Sequence, residues 1–401
     1  MASQIRVEAN ADVLIWARET RGFSLEDAAG KLGVPPERLA RWEARVENPT
    51  ANQLRKIAKQ YVRPICVFFL PAPPTDGEPR LKDFRRMHEA EAVVDLSPEL
   101  AVEIRLARER RAEADDLAEE AGVDIPRLDL TASLDDDPEE LAARFRQGLG
   151  VSASNQSGWH TQYEAFAAWR SAVERLGVLV FQTGRSPTQF VGLDEARGFS
   201  ISEERLPVIV VNGKDAVTAR CFTLIHELAH LALRNAGVCD LHNQLRRENE
   251  FDRVEVFCNH VAGATVVPQG ELLAAAEVRS HRSGTDWTDA ELAAIARRFW
   301  ASWEVTLRRL VTTGLASTEF YSAWRRSNTD RYPERVQPGG DVRLPMSTRV
   351  IRRNGRLFPR LVFDALREGR ISYSRAASYL GAGAHHLRKI ERAVFNPRYV
   401  A

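Results

Sequence analysis

Cys221-Phe222-Thr223-Leu224-Ile225-His226-Glu227-Leu228-Ala229-His230, running on into Leu231-Ala232-Leu233, is the stretch from which this chain is read. On a helix, His226 and His230 are four residues apart and so about 40° apart around the axis, on one face. Glu227 projects from the flank of that face. Apart from these three, the turns from Phe222 to Leu233 are apolar almost all round, the pattern of a buried helix. Two imidazoles and a carboxylate are costly to bury without a partner, and a divalent metal supplies one. Imidazole nitrogens suit zinc, one ion per chain, and Glu227 is then placed as the general base that takes a proton from the attacking water.

Upstream, Tyr163 to Leu176 has helical periodicity. Val178–Gln182, Gln189–Gly192, Gly198–Ile201 and Pro207–Asn212 read as short strands separated by turn residues. The metal helix is expected to start near Asp215 and to end by Gly237. A small sheet over such a helix is the zincin arrangement, in which an extended peptide lies along the edge strand and presents its carbonyl to the metal.

A tetrahedral site with one open position needs a third protein ligand. Asp240, His242, Glu248, Glu250, Asp252, Glu255 and His260 follow the motif. Val254, Phe257, Cys258, Val261, Ala262 and Thr265 repeat at helical spacing and define a buried face. Glu255 borders that face and Asp252 shares its side, whereas Glu250 and His260 do not. A carboxylate followed four positions later by a polar residue resembles the glutamate-zincin pattern. That resemblance selects Glu255 as the ligand and assigns Asn259 to orienting a ligating His from behind. Cys221 and Cys258 read as small buried hydrophobes.

Three separated blocks then occur in order. They are Pro207-Val-Ile-Val-Val-Asn212, Phe222-Thr223-Leu224-x-His226-Glu227-Leu228-x-His230-Leu231, and Glu255-x-x-Cys258-Asn259-x-x-Ala262 with Pro268. Together they resemble the ImmA/IrrE metallopeptidases over roughly residues 160 to 325. The resemblance implies zinc-dependent cleavage of helix-turn-helix transcriptional repressors, with derepression of mobile-element or stress-response genes. Where that family usually has Phe-Ala, this chain has Val261-Ala262. Residues 285 to 325, read as two helices, are similar to the helical tail of that peptidase core.

Residues 10 to 70 read as four or five short helices. Ser24 caps one that carries Leu25, Ala28, Ala29 and Leu32, Gly33 makes the turn, and Pro35 or Pro36 opens the next with Leu39, Trp42 and Glu43. Helix, tight glycine turn, helix is the layout of a helix-turn-helix. Arg18, Ser24, Ala28, Leu32-Gly33-Val34, Leu39, Trp42-Glu43 and Pro49-Thr50 resemble the XRE family of phage-repressor-like domains, with Arg45 where the family has Gly. Arg38, Arg41 and Arg45 are the candidates there for phosphate or base contact.

The last 50 residues echo this module. Placing residue 24 on 372 pairs Ser24 with Ser372, Ala28 with Ala376, Ala29 with Ala377, Leu32 with Leu380 and Gly33 with Gly381. It also pairs Leu39 with Leu387, Glu43 with Glu391, Val46 with Val394, Asn48 with Asn396 and Pro49 with Pro397, ten identities in 26 ungapped positions. The shared residues are the cap, the turn glycine and the core positions, which a second helix-turn-helix requires. Its surroundings are basic, and Arg388, Lys389 and Arg392 are its candidate DNA contacts.

Between these parts, Pro71-Ala-Pro-Pro-Thr-Asp-Gly is a boundary, Ser97 caps a long charged helix to about 121, and Asp135-Asp136-Asp137-Pro138 opens another. Asn328 to Pro345 reads as a linker. The expected division is 1–72 XRE-like domain, 73–157 helical connector, 158–270 zincin-like core, 271–328 helical tail and 346–401 second helix-turn-helix. The fold class is α+β and mostly helical.

The formal net charge of +1 makes no global field toward nucleic acid or membrane, so any such binding is local. No apolar run approaches the roughly 18 residues of a spanning helix, and the first ten residues lack an apolar signal core. Cys66, Cys221, Cys239 and Cys258 show no paired spacing, which suits a reducing cytoplasm. The reading preferred on these grounds is a cytoplasmic zinc endopeptidase acting on an XRE-type repressor, with DNA as a further partner. The alternatives are a DNA-binding regulator with a structural or sensory metal site and one half of a toxin–antitoxin pair.

Overall fold

The computed structural model describes residues 6–74, 97–184, 191–235, 248–281, 284, 286–328 and 344–396, the side chains of 234–235 and 248–252 excepted. The chain forms two compact units. No helix among the described residues is long and apolar enough to cross a membrane.

The first unit holds α1 (Ala11–Glu19), α2 (Leu25–Leu32), α3 (Pro36–Glu43), α4 (Ala51–Tyr61), a 3-10 turn at Ile65–Phe69, and the opening turns of α5 (Pro98–Glu120). Ser24 caps α2 by accepting from the Asp27 N–H, and Gly33 closes it at φ 64, a conformation only glycine adopts without strain. Leu32, Leu39, Trp42, Leu54, Ile57 and Phe68 fill the core between the helices. Arg18 grips Glu43 through two hydrogen bonds of 2.8 and 3.1 Å, which ties α1 to α3. Arg45 stands at φ 61, so the position where the resembled family carries Gly is left-handed here too, now at the strain cost of a side chain. Ser97 accepts from the Leu100 N–H at the start of α5, as its cap position requires.

The second unit begins with the remainder of α5, followed by α6 (Pro138–Leu149), α7 (Ala153–Ser157) and α8 (Gln162–Glu174). Asp137 caps α6 with one carboxylate oxygen shared between two backbone N–H groups. A three-stranded sheet follows, β1 (Leu179–Gln182), β2 (Gly198–Ile201) and β3 (Val208–Val211), in the order β1-β3-β2. β1 runs parallel to β3, with Leu179 opposite Val208, and β2 runs antiparallel to β3, with Gly198 opposite Val211. All four residues of each strand are buried, and the central strand β3 is accordingly a continuous rather than alternating apolar run. The expected strand at Gln189–Gly192 is not formed where it is described, at Val191 and Gly192, and its first two residues lie outside the described residues.

Next come α9 (Val217–Asn235) and α10 (Glu248–Val266), which pack on each other, with α8 and the sheet against α9 and α6 against α10. The short α11 (Gln269–Ala274) and α12 (Ala276–Ser280) lead to α13 (Asp289–Phe299), α14 (Trp303–Thr312) and α15 (Thr318–Asn328). The tail thus has three helices where the sequence suggested two, because Thr313 to Ser317 interrupts the run with a Gly turn at φ 73. One core, from Phe145 and Trp169 through Leu228 and Val261 to Leu310, joins α6, α8, β1, β3 and α9 to the helices that follow.

The unit ends with α16 (Met346–Asn354), α17 (Leu357–Arg367), α18 (Tyr373–Tyr379), a 3-10 turn and α19 (Leu387–Phe395). At the repeated positions Ser372 caps α18 as Ser24 caps α2, and Gly381 takes φ 60 against 64 at Gly33. Leu380 and Leu387 are buried like Leu32 and Leu39. This module rests on α8 and β1. Arg170 donates to the carbonyls of Ile351 (3.0 Å), Arg352 (2.8 Å) and Val180, and Glu174 accepts from the N–H groups of Arg356 (2.9 Å) and Leu357 (3.4 Å). The Phe358 ring meets Phe181 of β1 edge to face at 6.0 Å.

Candidate metal centre

The site is built on α9. Asp215 accepts from the Ala216 N–H at its start, and Arg220 donates to the Asp215 carbonyl, so the first turn is held from both sides. From there the helix is buried all round, and His226, Glu227 and His230 are each no more than 5 % exposed. The imidazoles bring their Nε2 atoms to 3.1 Å from each other.

The third group comes from α10. Glu255 places Oε2 at 3.4 Å from His226 Nε2 and Oε1 at 3.1 Å from His230 Nε2. One donor atom from each of the three residues lies within 4.8 Å of the others. A tetrahedral zinc with bonds of about 2.0–2.1 Å separates its donors by about 3.3 Å, which matches these spacings. The donor set, two imidazoles and a carboxylate, is also the one such an ion takes. Burial alone would push the Glu255 carboxyl up, but His226 and His230 override it and hold the carboxylate far below its ordinary range.

The sheet comes down on this helix at a glycine. A Cβ at Gly198 would lie 2.5 Å from Thr223 Cγ2 and 3.5 Å from Glu227 Cγ. Only glycine therefore lets the edge strand β2 approach the general-base candidate so closely. In the sequence it is only a glycine at the start of a short strand.

Residues 173–311 match the model of the IrrE N-terminal-like domain, a peptidase family, and residues 14–65 match a helix-turn-helix model. The chain carries an IrrE N-terminal-like domain. No curated protein matches the chain. The IrrE-like domain spans the sheet, α9, α10 and the helices as far as α14, and so contains all three candidate ligands and Glu227.

The other sequence candidates are placed as follows. Asn259 lies one turn beyond Glu255, and its buried Oδ1 has no hydrogen-bond partner among the described residues. Cys258, read from the sequence as a small buried hydrophobe within the third block, is buried against His230, while burial pushes the Cys221 thiol up to about 12 and leaves it inert. His260 pairs with Glu139 at 2.8 Å, and Glu139 is held by Arg309 as well. Asp240 and His242 lie outside the described residues, as do the side chains of Glu248, Glu250 and Asp252.

In the first unit, Arg38 and Arg41 both reach Glu47, at 3.4 and 3.6 Å, and Arg45 pairs with Asp12 at 2.6 Å. Acids of the module itself thus partly neutralise its three candidate contacts. On α19, Arg388, Lys389 and Arg392 are exposed and have no ion-pair partner among the described residues.

Proposed function

We propose that this chain is a zinc-dependent endopeptidase that cleaves a helix-turn-helix transcriptional repressor and so derepresses stress-response or mobile-element genes. The observation that carries the reading is the donor triangle of His226, His230 and Glu255, at tetrahedral spacing, with Glu227 on the same helix beneath the edge strand. His226, His230 and Glu255 would hold the zinc. When bound, the ion polarises the peptide carbonyl and makes the attacking water more acidic. Glu227 accepts the proton that the water gives up and passes it to the departing amine nitrogen. The buried apolar walls of α9 keep bulk water from competing for that proton. β2 is an edge strand, so an extended peptide can pair with its open side and bring a carbonyl over Glu227.

A purely structural metal site has no use for Glu227 between its ligands, which favours the catalytic reading over a regulator with a sensory metal. Co-expression of the full chain with repressors encoded beside it is the direct test. A discrete cut that disappears in Glu227→Gln supports the proposal, and intact repressors in both cultures count against it.

Cleavage is expected to be narrow. Strand pairing accepts any extended peptide, so selectivity has to come from docking by the flanking modules. Unstructured casein is therefore expected to persist through hours of incubation with the zinc-loaded protein. Rapid digestion of casein by wild type but not by Glu227→Gln would remove the specific-repressor idea while leaving the peptidase.

DNA contact is assigned to α19. Each Lys or Arg that neutralises a phosphate releases a counterion, so affinity falls steeply with salt. Replacing Arg388, Lys389 and Arg392 together with Ala in the full chain is expected to reduce the salt slope by about two to three units. The corresponding change at Arg38, Arg41 and Arg45 is expected to alter it by less than about one unit, since Glu47 and Asp12 already face those charges. Gel shifts at a series of salt concentrations measure both, and an unchanged slope in the α19 variant removes the assignment.

A further inference from the structure

The two helix-turn-helix modules agree at Ser24 and Ser372 and at Gly33 and Gly381, and differ where the second helix begins. The same register pairs Pro35-Pro36-Glu37-Arg38 with Gly383-Ala384-His385-His386, Arg41 with Lys389 and Glu47 with Phe395. In the first module that end carries Glu37, and Glu47 reaches both Arg38 and Arg41. In the C-terminal module neither acid is present. The single acid of α19, Glu391, is paired with Arg367 at 2.8 Å.

What stands there instead is a pair of imidazoles. Ala384–His386 is the 3-10 turn that leads into α19, and the His385 and His386 rings lie 4.0 Å apart between centroids, tilted by 44°. Gly383 makes room for them, since a Cβ there would meet His385 Cε1 at 2.7 Å. His385 is exposed and His386 half-buried, and neither ring is hydrogen-bonded or ion-paired among the described residues. The turn packs on α18 and α19. α18 carries Tyr373, Arg375 and Tyr379, with the Arg375 guanidinium donating to the Tyr379 hydroxyl at 2.7 Å. α19 carries Arg388, Lys389 and Arg392 besides the paired Glu391. Partial burial, His385 and Lys389 together hold His386 below its ordinary value.

We infer that His385 and His386 are the leading DNA contacts of the C-terminal module and that they take up protons when DNA binds. The inference rests on the assignment of DNA contact to α19 and adds a proton to it. A helix-turn-helix brings the N-terminal residues of its second helix to the base edges, between the two phosphate backbones. A phosphate beside an imidazole favours the charged form, so the complex holds more protons than the free partners. Affinity therefore rises as pH falls through the histidine range and levels off once the free protein is protonated as well. Fixed cations such as Arg388 and Lys389 add the same charge at every pH, and so do not produce this response.

Fluorescence anisotropy of the full chain with a labelled random-sequence duplex, over a series of salt concentrations, tests this at about pH 8 and about pH 5.5. Wild type is expected to bind about tenfold more tightly at the lower pH. Its salt slope is expected to steepen there by about one to two units, one for each imidazole that meets a phosphate. His385→Gln combined with His386→Gln is expected to lose both changes. His385→Lys combined with His386→Lys is expected to show the steep slope at either pH. Binding that is lost on replacing Arg388, Lys389 and Arg392 with Ala, yet does not respond to pH in wild type, overturns the inference and keeps DNA contact at α19. An equal pH response in wild type and in the Gln pair places the titrating groups elsewhere and also overturns it. No binding of the duplex at either pH removes the α19 assignment and this inference with it.

Discussion

Glu227→Gln is expected to lower cleavage by about 10²- to 10⁴-fold, the usual contribution of a positioned proton acceptor, while the protein still binds one zinc. The amide fills the same volume between His226 and His230 but has no pair of electrons basic enough to take the water's proton. His226→Ala, His230→Ala and Glu255→Ala are expected to fail one step earlier. Each removes one of three donors that lie within 4.8 Å of one another, and two donors cannot hold the ion against solvent. Metal analysis of the four desalted variants separates the two classes of loss. Full zinc occupancy in Glu255→Ala would show that the third ligand lies elsewhere, with Asp252 on the same helix as the next candidate.

Glu174→Ala is expected to destabilise the second unit by about 3–5 kcal/mol, the cost of leaving a buried charge without its partner. Arg170 and Glu174 are 6 % and 7 % exposed, and between them they satisfy five backbone groups of β1, α16 and α17. Removing the carboxylate strands the Arg356 and Leu357 N–H groups together with the guanidinium. At roughly 2–4 °C per kcal/mol for a domain of this size, the thermal midpoint falls by about 10 °C. Gly355→Ala is expected to do similar damage by a different route. Its Cβ would sit 1.9 Å from Glu174 Oε1, on a residue whose φ is 71°. A midpoint within about 2 °C of wild type for Glu174→Ala would mean that the helical module is held to the sheet by other contacts.

Much of the candidate site was legible in the chain itself. The spacing of His226 and His230 required a shared helix face, and the apolar residues around them required burial. Helical periodicity around Val254 to Thr265 put Glu255 at the border of a buried face, and the family resemblance selected it over Asp252. Among the ten identities, Ser24 and Ser372 are caps, Gly33 and Gly381 are left-handed turn glycines, and Ala28, Leu32 and Leu39 are buried like Ala376, Leu380 and Leu387. In each case the information is local: a period, a cap, or a backbone angle that few residues adopt.

What the chain did not disclose is which faces meet. Periodicity tells that a helix has a buried side but not what covers it, since many apolar partners would serve equally. The close approach of β2 to α9 is decided by the missing Cβ of Gly198, and a glycine at a strand end reads in sequence as an ordinary turn. Asn259 was legible as polar and one turn beyond a candidate ligand, but not as a side chain whose Oδ1 is buried. The seating of α16 and α17 on Arg170 and Glu174 brings together charged and backbone groups from distant parts of the chain. A charged residue alone in a sequence looks like a solvated surface group. Its role follows from its partners, and those are brought beside it by the packing of the whole unit.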